Sequence, residues 1–253
     1  MDNRPIGMLD SGIGGLTVLK EFLSELPNEN YIYYADTKHL PYGEKSKKQI
    51  ISYTKEIVSF FLTQNVKVVI IACGTASSLA YEYLQSHYSI PIFDIITPTI
   101  TNVKEKNIGL IATESSVKSN VWNSKMQTIH PTTTIHSMAC PKLVPIAEKN
   151  SHHSMMAKMA VRQYLKPLKD KNIEALIMGC THYPFFQDII RRELGENIPL
   201  INIGTPLAKE VKIYLLNHSM QSSNTSAGNT LYYDSLNSPS FSEKAQNILE
   251  QLS

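Results

Sequence analysis

Short apolar runs alternate along this chain with longer stretches in which apolar residues recur every three or four positions. The short runs are Ile6–Leu9, Tyr31–Ala35, Val66–Ala72, Ile92–Ile96, Ile108–Ala112, Ala175–Met178 and Leu200–Ile203. They are almost continuously apolar, as strands buried on both faces of a parallel sheet are. The longer stretches predict helices. Lys48–Gln64 sets Ile50, Tyr53, Ile57 and Phe61 on one face, and Ser154–Leu168 is read the same way through Met155, Met159 and Leu165. Both stripes are expected to face the core. Phe185–Leu194, preceded by Pro184 and followed by Gly195, and Phe241–Leu252 predict two more helices. The Ser/Asn-rich segment Asn217–Asn229 predicts an exposed connection before one further strand, Thr230–Tyr233. Strands alternating with helices imply an α/β fold, its parallel sheets covered by helices.

The pattern also repeats. Ile6-Gly-Met-Leu-Asp10-Ser11 resembles Ile108-Gly-Leu-Ile-Ala112-Thr113, and Val68-Val-Ile-Ile-Ala72-Cys73 resembles Ala175-Leu-Ile-Met-Gly179-Cys180. The two echoes come in the same order at nearly the same offset. They predict two similarly wound α/β halves related by pseudo-symmetry, each with one cysteine at the C-terminal end of a strand. A length of 253 residues accommodates one or two domains.

Composition narrows the functional classes. Lys and Arg total 24 against 22 for Asp and Glu, a net +2, so no overall field favours nucleic acid or an anionic membrane. No apolar run is long enough to span a bilayer, and MDNRPIGMLDSG has no apolar signal core. The expectation is a soluble cytosolic protein with reduced thiols. Its three cysteines, Cys73, Cys140 and Cys180, form no CxxC and offer neither a disulfide framework nor a zinc ribbon. His152–His153 reads as a solvated helix start, and His130, His136 and Cys140 are too irregularly spaced for ligands. No metal is expected.

Two cysteines remain as candidate chemistry. Ligands of open α/β sheets bind beyond the carboxyl ends of the strands, where Cys73 and Cys180 are expected to lie. Each precedes a turn into a helix, whose N-terminus is expected to lower a thiol pKa. His182 is two residues from Cys180 and could relay its proton. Asp10 could serve Cys73 if their strands are neighbours. A lone cysteine is usually a small buried hydrophobe, and Cys140 is read that way. Two at matching positions suit a two-base proton transfer: one thiolate removes a proton from a carbon while the opposite thiol delivers one to the other face, inverting the centre.

Six ordered motifs then carry a resemblance. Asp10-Ser-Gly-Ile-Gly-Gly-Leu-Thr17, Tyr34-Ala-Asp-Thr37, Leu40-Pro-Tyr-Gly-Glu-Lys-Ser46, Ala72-Cys-Gly-Thr-Ala-Ser77, Ala139-Cys-Pro-Lys-Leu-Val-Pro145 and Gly179-Cys-Thr-His-Tyr-Pro184 together resemble the glutamate racemases of the cofactor-independent aspartate/glutamate racemase superfamily. The resemblance implies two α/β domains with the active site in the cleft between them. Residues 1–97 and 207–253 would form the first, with a returning C-terminal segment, and 98–206 the second. It implies interconversion of L- and D-glutamate without a cofactor, supplying D-glutamate for peptidoglycan precursors in a bacterial cytoplasm. Cys73 would deprotonate D-glutamate and Cys180 L-glutamate, assisted by Asp10 and His182 respectively. Ser11, Pro41, Tyr42, Gly43, Thr75 and Thr181 would line the substrate pocket, with Glu148 a supporting acid near the amino group. The implied partner is the amino acid, with neither nucleic acid nor membrane; a homodimer is compatible with the resemblance.

The Asp10–Gly15 turn could bring backbone N–H groups close to an anion, since glycine permits close approach. Its glycines lack the GxGxxG spacing of a dinucleotide fingerprint.

Three departures from the family pattern stand out. Gly74 takes the place of an asparagine that ordinarily touches substrate, and losing such a hydrogen bond to a charged group costs about 1.5–3 kcal/mol. Glu114-Ser115-Ser116 replaces a Gly-Thr pair, with Ser116 keeping the hydroxyl. Asn202 replaces an acidic residue. Gly74 keeps two other readings open: a racemase for aspartate or another amino acid, and a catalytically weakened amino-acid-binding or interaction protein.

Overall fold

The apolar runs assemble into two parallel sheets. The computed structural model describes residues 1–252. Its strands are β1 (Ile6–Asp10), β2 (Tyr31–Ala35), β3 (Val68–Ile71), β4 (Ile92–Asp94), β5 (Asn107–Ala112), β6 (Thr134–Ala139), β7 (Ala175–Met178), β8 (Leu200–Ile201) and β9 (Thr230–Asp234). The helices of the first part of the chain are α1 (Leu16–Glu25), α2 (Lys47–Thr63), α3 (Gly74–Leu79), α4 (Tyr81–His87), α5 (Ile96–Thr101) and α6 (Glu114–Ser119). Those that follow are α7 (Val121–Ile129), α8 (Leu143–Glu148), α9 (Met155–Lys169), α10 (Gln187–Leu194), α11 (Gly204–Asn217) and α12 (Phe241–Leu252).

The first sheet has the order β4-β3-β1-β2-β9 and the second β6-β5-β7-β8. All of these pairings are parallel. Taken from its other edge, the second sheet is β8-β7-β5-β6, the same winding as β4-β3-β1-β2. Register matches as well: Ile6 pairs with Val68, and Ile108 pairs with Ala175. The sequence echo is thus a repeat of topology. β9 is the addition that returns the chain to the first sheet. The crossings between the sheets run through α5 and α11, and positions 97/98 and 206/207 lie within those two helices.

Period-two alternation divides the core into layers. Met8, Ile70, Leu110 and Ile177 point into one cluster shared by both sheets, together with Ile96, Trp122 and Leu207. Leu9 and Ile71 face a cluster under α2 and α3, with Ile57 and Phe61. Ile111 and Met178 face another with Val161 and Leu165 of α9. Burying each such side chain contributes about 1.5–3 kcal/mol.

The expected Met stripe of α9 is not core. Met155 and Met159 are 69% and 67% exposed, and the buried face is Ala157, Ala160, Val161, Leu165 and Leu168. At 3.6 residues per turn Leu165 lies about 80° round the helix from Met155, so one faces inward while the other faces water. β6 was not expected because Thr134–Ala139 is a half-exposed edge strand without an apolar run. On and beside it, His136 Nε2 pairs with Asn107 Oδ1 and His130 Nε2 with the Ile100 carbonyl, each at 2.9 Å.

The Ser/Asn-rich connection follows α11 as a largely exposed segment, but it is clasped at one end. The fully buried Lys67 ammonium donates to Glu29 Oε2 at 2.5 Å and to the carbonyls of Asp2 and Met220. Glu29 Oε1 accepts the Ser222 N–H. Among the described residues no helix is long and apolar enough to cross a membrane.

Candidate active site

Matching strand ends carry the two thiols. β3 delivers Cys73 to the position that opens α3, and β7 delivers Cys180 to a turn ending in a short 3-10 helix, Tyr183–Phe186. β1 lies beside β3 in parallel and ends at Asp10. Cys73 is 4% and Cys180 5% exposed. Cys73 lies within reach of a charge on Cys180.

The Cys180 side has a charged relay. Its sulfur lies 3.8 Å from His182 Nδ1, and His182 Nε2 lies 2.6 Å from Glu148 Oε1 at the end of α8. Burial opposes a charged imidazole, but the hydrogen bonds and negative charge of Cys180 and Glu148 prevail and push the His182 pKa up to about 10. Burial likewise opposes the Glu148 carboxylate. The His182 hydrogen bond and charge outweigh it, and the Glu148 pKa falls below its ordinary value. His182 is therefore cationic at neutral pH against an ionised Glu148.

The Cys73 side is built differently. Its sulfur meets the Ser11 hydroxyl at 3.8 Å. Asp10, expected to serve Cys73, accepts hydrogen bonds from the Gly12 N–H at 2.9 Å and the Thr181 hydroxyl at 3.2 Å. It influences the thiol through its charge. Burial pushes the Cys73 pKa well up, and the Asp10 charge adds to the rise. The expected lowering by the helix N-terminus is thus overridden: the hydrogen bond from the Ala76 N–H works in that direction but is outweighed by desolvation. Asp10 itself is raised, chiefly by burial and against the pull of His182.

The glycine turn binds anions that belong to the protein. Gly12 N–H goes to Asp10, and Ile13 N–H donates to Glu148 Oε1 at 3.0 Å. A Cβ at Gly14 would overlap His182 Nδ1, so glycine is needed there for close approach.

Hydroxyls bridge the two halves. Thr75 Oγ1 and Thr113 Oγ1 are 2.8 Å apart, Thr113 donates to Ser116 Oγ at 3.0 Å, and Ser78 donates to Ser116 Oγ at 3.2 Å. Thr17 donates to the Thr181 carbonyl at 2.9 Å. Buried Tyr42 donates to Asp36 Oδ2 at 2.6 Å, and the Gly43 carbonyl accepts from Ser115 at 2.7 Å. Pro41 and Gly43 border a cavity of about 20 Å³ with Thr113 and Val144. A larger cavity, about 680 Å³, opens on the far side of Glu148 between His152, Phe185 and Lys244, and neither Cys73 nor Cys180 lines it.

The structure therefore brings together Asp10, Ser11, Cys73, Glu148, Cys180, Thr181 and His182, with Thr75 and Ser116 in the bridge beside them. Sequence reasoning did not assign Asp36, Thr113 or Ser115. An acid directly after a strand end, in Tyr34-Ala-Asp36, was the available signal for the first. Thr113 caps α6 as well as meeting Thr75, and Ser115 acts through its contact with the other half. Asn202 lies apart from the site: its side chain accepts the Gly204 N–H at 2.7 Å and donates to Glu21. Cys140 is buried, bonded weakly to the Met138 carbonyl at 3.7 Å.

Two thiols at corresponding ends of two repeated sheets, one beside a cationic imidazole, are equipped to handle protons from two directions. The sequence model of the Asp/Glu/Hydantoin racemase family matches residues 14–211, and the chain belongs to that family. Glutamate racemase of Streptococcus sanguinis is 37% identical over 98% of this chain and 96% of its own. Among solved structures, a glutamate racemase isoform from Bacillus anthracis superposes with a TM-score of 0.93 at 31% identity, covering 99% of this chain and 95% of its own. The Francisella tularensis glutamate racemase in complex with D-glutamate gives 0.90 at 33% identity, with the same coverage. Within the family the chain is an isomerase, an amino-acid racemase of the glutamate racemase class.

Proposed function

We propose that this chain interconverts L- and D-glutamate by two-base proton transfer between Cys180 and Cys73. The observation that carries the reading is the placement of one thiol at each of two equivalent strand ends, with a different proton partner beside each. Cys180, as thiolate, removes the Cα proton of L-glutamate, and the electron pair of the C–H bond spreads onto the α-carboxylate. Cys73, kept protonated by burial, gives its proton to the opposite face of the carbon. D-glutamate, a Cys180 thiol and a Cys73 thiolate result, and the reverse reaction exchanges the roles.

Charge developing on the carboxylate is best met by preorganised donors rather than by the net charge of the protein. Ser11, Thr75, Ser116 and Thr181 supply hydroxyls, while Gly43 and Gly74 offer backbone. Tyr42, held by Asp36, and Pro41 shape the wall. Glu148 acts through His182 rather than on the substrate amino group. No step calls for a metal or cofactor. The amino acid is the partner, and D-glutamate formed in a bacterial cytoplasm would feed peptidoglycan precursors. The same reading divides the chain into 1–97 with 207–253, and 98–206.

Incubation with L-glutamate or L-aspartate in deuterated water, without added cofactor, tests it. Solvent deuterium should enter Cα of glutamate as the D-enantiomer forms. Cys73→Ala and Cys180→Ala should each reduce turnover by at least about 10²–10⁴-fold. Unchanged turnover in either variant refutes the two-base assignment, and turnover of aspartate alone refutes the substrate.

A further inference from the structure

Gly74 follows Cys73 directly, and Gly179 directly precedes Cys180. Their backbones touch across the two halves. Gly74 sits in the first turn of α3 with an ordinary φ, since Gly195 is the one described glycine with a positive φ. The backbone therefore does not demand glycine at position 74. Nor does the surrounding half: a Cβ there would meet Ile95 Cδ1 at 3.6 Å, an ordinary contact. The obstruction comes from the other half, where the same Cβ would overlap the Gly179 carbonyl oxygen and lie 3.3 Å from the carbonyl carbon.

Gly179 cannot yield alone. It is packed within its own sheet, where a Cβ would lie 2.7 Å from Leu110 Cδ1, 3.0 Å from the Ile111 carbonyl and 3.3 Å from Trp122. Its N–H also donates to the Ile111 carbonyl at 2.8 Å. Relief at position 74 must come from separating the halves, by about 1 Å to restore van der Waals spacing.

We propose that Gly74 is a positioning residue for the racemisation: its bare Cα lets the Gly179 carbonyl close onto the start of α3, and this contact sets the spacing of the two adjacent thiols. The proposal rests on the two-thiol reading above. It also reverses the meaning of the Gly74 departure. An asparagine restored there gains an amide but props the halves apart, so it does not improve the site.

Gly74→Ala is the direct test, with Lys125→Met as its control. Lys125 of α7 pairs with Asp94 of β4 across the two halves at 3.8 Å, so its loss trims the interface without adding bulk. Misplacing reacting groups by about 1 Å costs about a hundredfold. Gly74→Ala should therefore lower kcat by about 10- to 100-fold, with KM moving less than about threefold. The isotope effect with Cα-deuterated glutamate should rise as proton transfer becomes slower. Melting temperature should stay close to that of the parent, because each half accepts the methyl. Lys125→Met should keep kcat within about twofold.

Parental kcat and isotope effect in Gly74→Ala overturn the proposal, as does an equal loss in Lys125→Met. Should Gly74→Ala fail to fold, a crystal structure of Gly74→Asn with D-glutamate decides by the Cys73–Cys180 sulfur separation: a wider gap supports the spacer and an unchanged one overturns it. Failure of the parent chain to racemise glutamate is a different result and removes the two-thiol reading itself.

Discussion

Burial alone would drive His182 to the neutral imidazole, yet Cys180 on one ring nitrogen and Glu148 on the other hold it protonated to about pH 10. Removing the Glu148 charge should release that hold. In Glu148→Gln the His182 ring, followed by NMR, should titrate well below 10, and kcat/KM should fall about a hundredfold. L- and D-glutamate have equal free energies, so kcat/KM must fall equally in both directions. The asymmetry of the site can then appear only in kcat and KM separately. Stability follows the same charge. The folded His182 pKa lies above the unfolded value near 6.5, so its contribution is complete below about 6.5 and is lost as pH rises through about 10. The stability gap between the parent and His182→Gln, measured by urea unfolding, should shrink across that window. The gathering of Cys73, Cys180, Asp10 and His182 was legible because each stands at or just beyond the end of a predicted strand. That Asp10 also accepts a hydrogen bond from Thr181 was not legible, because that contact depends on where the second half docks.

Strands were legible wherever both faces are buried. β2 and β7 have the bounds that the apolar runs predict, and β1, β3 and β5 differ only at their ends. α3, α5, α6 and α8 are six residues each, too short to display a helical period, and β6 lies on an edge. The Lys67–Glu29 clasp was also invisible, since it joins a residue ahead of β3 to segments distant in sequence. It ties the start of the chain and the connection after α11 to the N-terminal edge of the first sheet. Replacing Lys67 by Met strands a buried carboxylate, which costs about 3–5 kcal/mol in chemical unfolding. Activity of the folded variant should stay near that of the parent, because Lys67 and Cys73 stand at opposite ends of β3, about 20 Å apart.

At the scale of the molecule, the described state is closed. Asp10, Cys73, Thr75, Cys180, Thr181 and His182 are all buried, so substrate reaches them only when the strand ends part. An open form populated at about 0.1–10% is enough to admit it. Alkylation reads that population: iodoacetamide should modify Cys73 and Cys180 about 10- to 1,000-fold more slowly than a free thiol, in proportion to the open fraction. Saturating glutamate should slow it further, and labelling at the free-thiol rate would show that the closed state is not the resting one. The repeat itself was legible at this scale, whereas the contact of Gly74 with Gly179 was not. No local pattern records which two loops will meet.

The winding of the chain also governs how such parting proceeds. β5 to β8 lie between two crossings, α5 going out and α11 coming back, because β9 returns to the first sheet. A body held by one tether can swivel freely. A body held by two turns only about the line that joins them. The halves are thereby reduced to a single rotational freedom, pivoting on the shared core near Ile96 and Leu207. One such rotation would move both strand ends at once, so the two thiols would come together and part together, never singly.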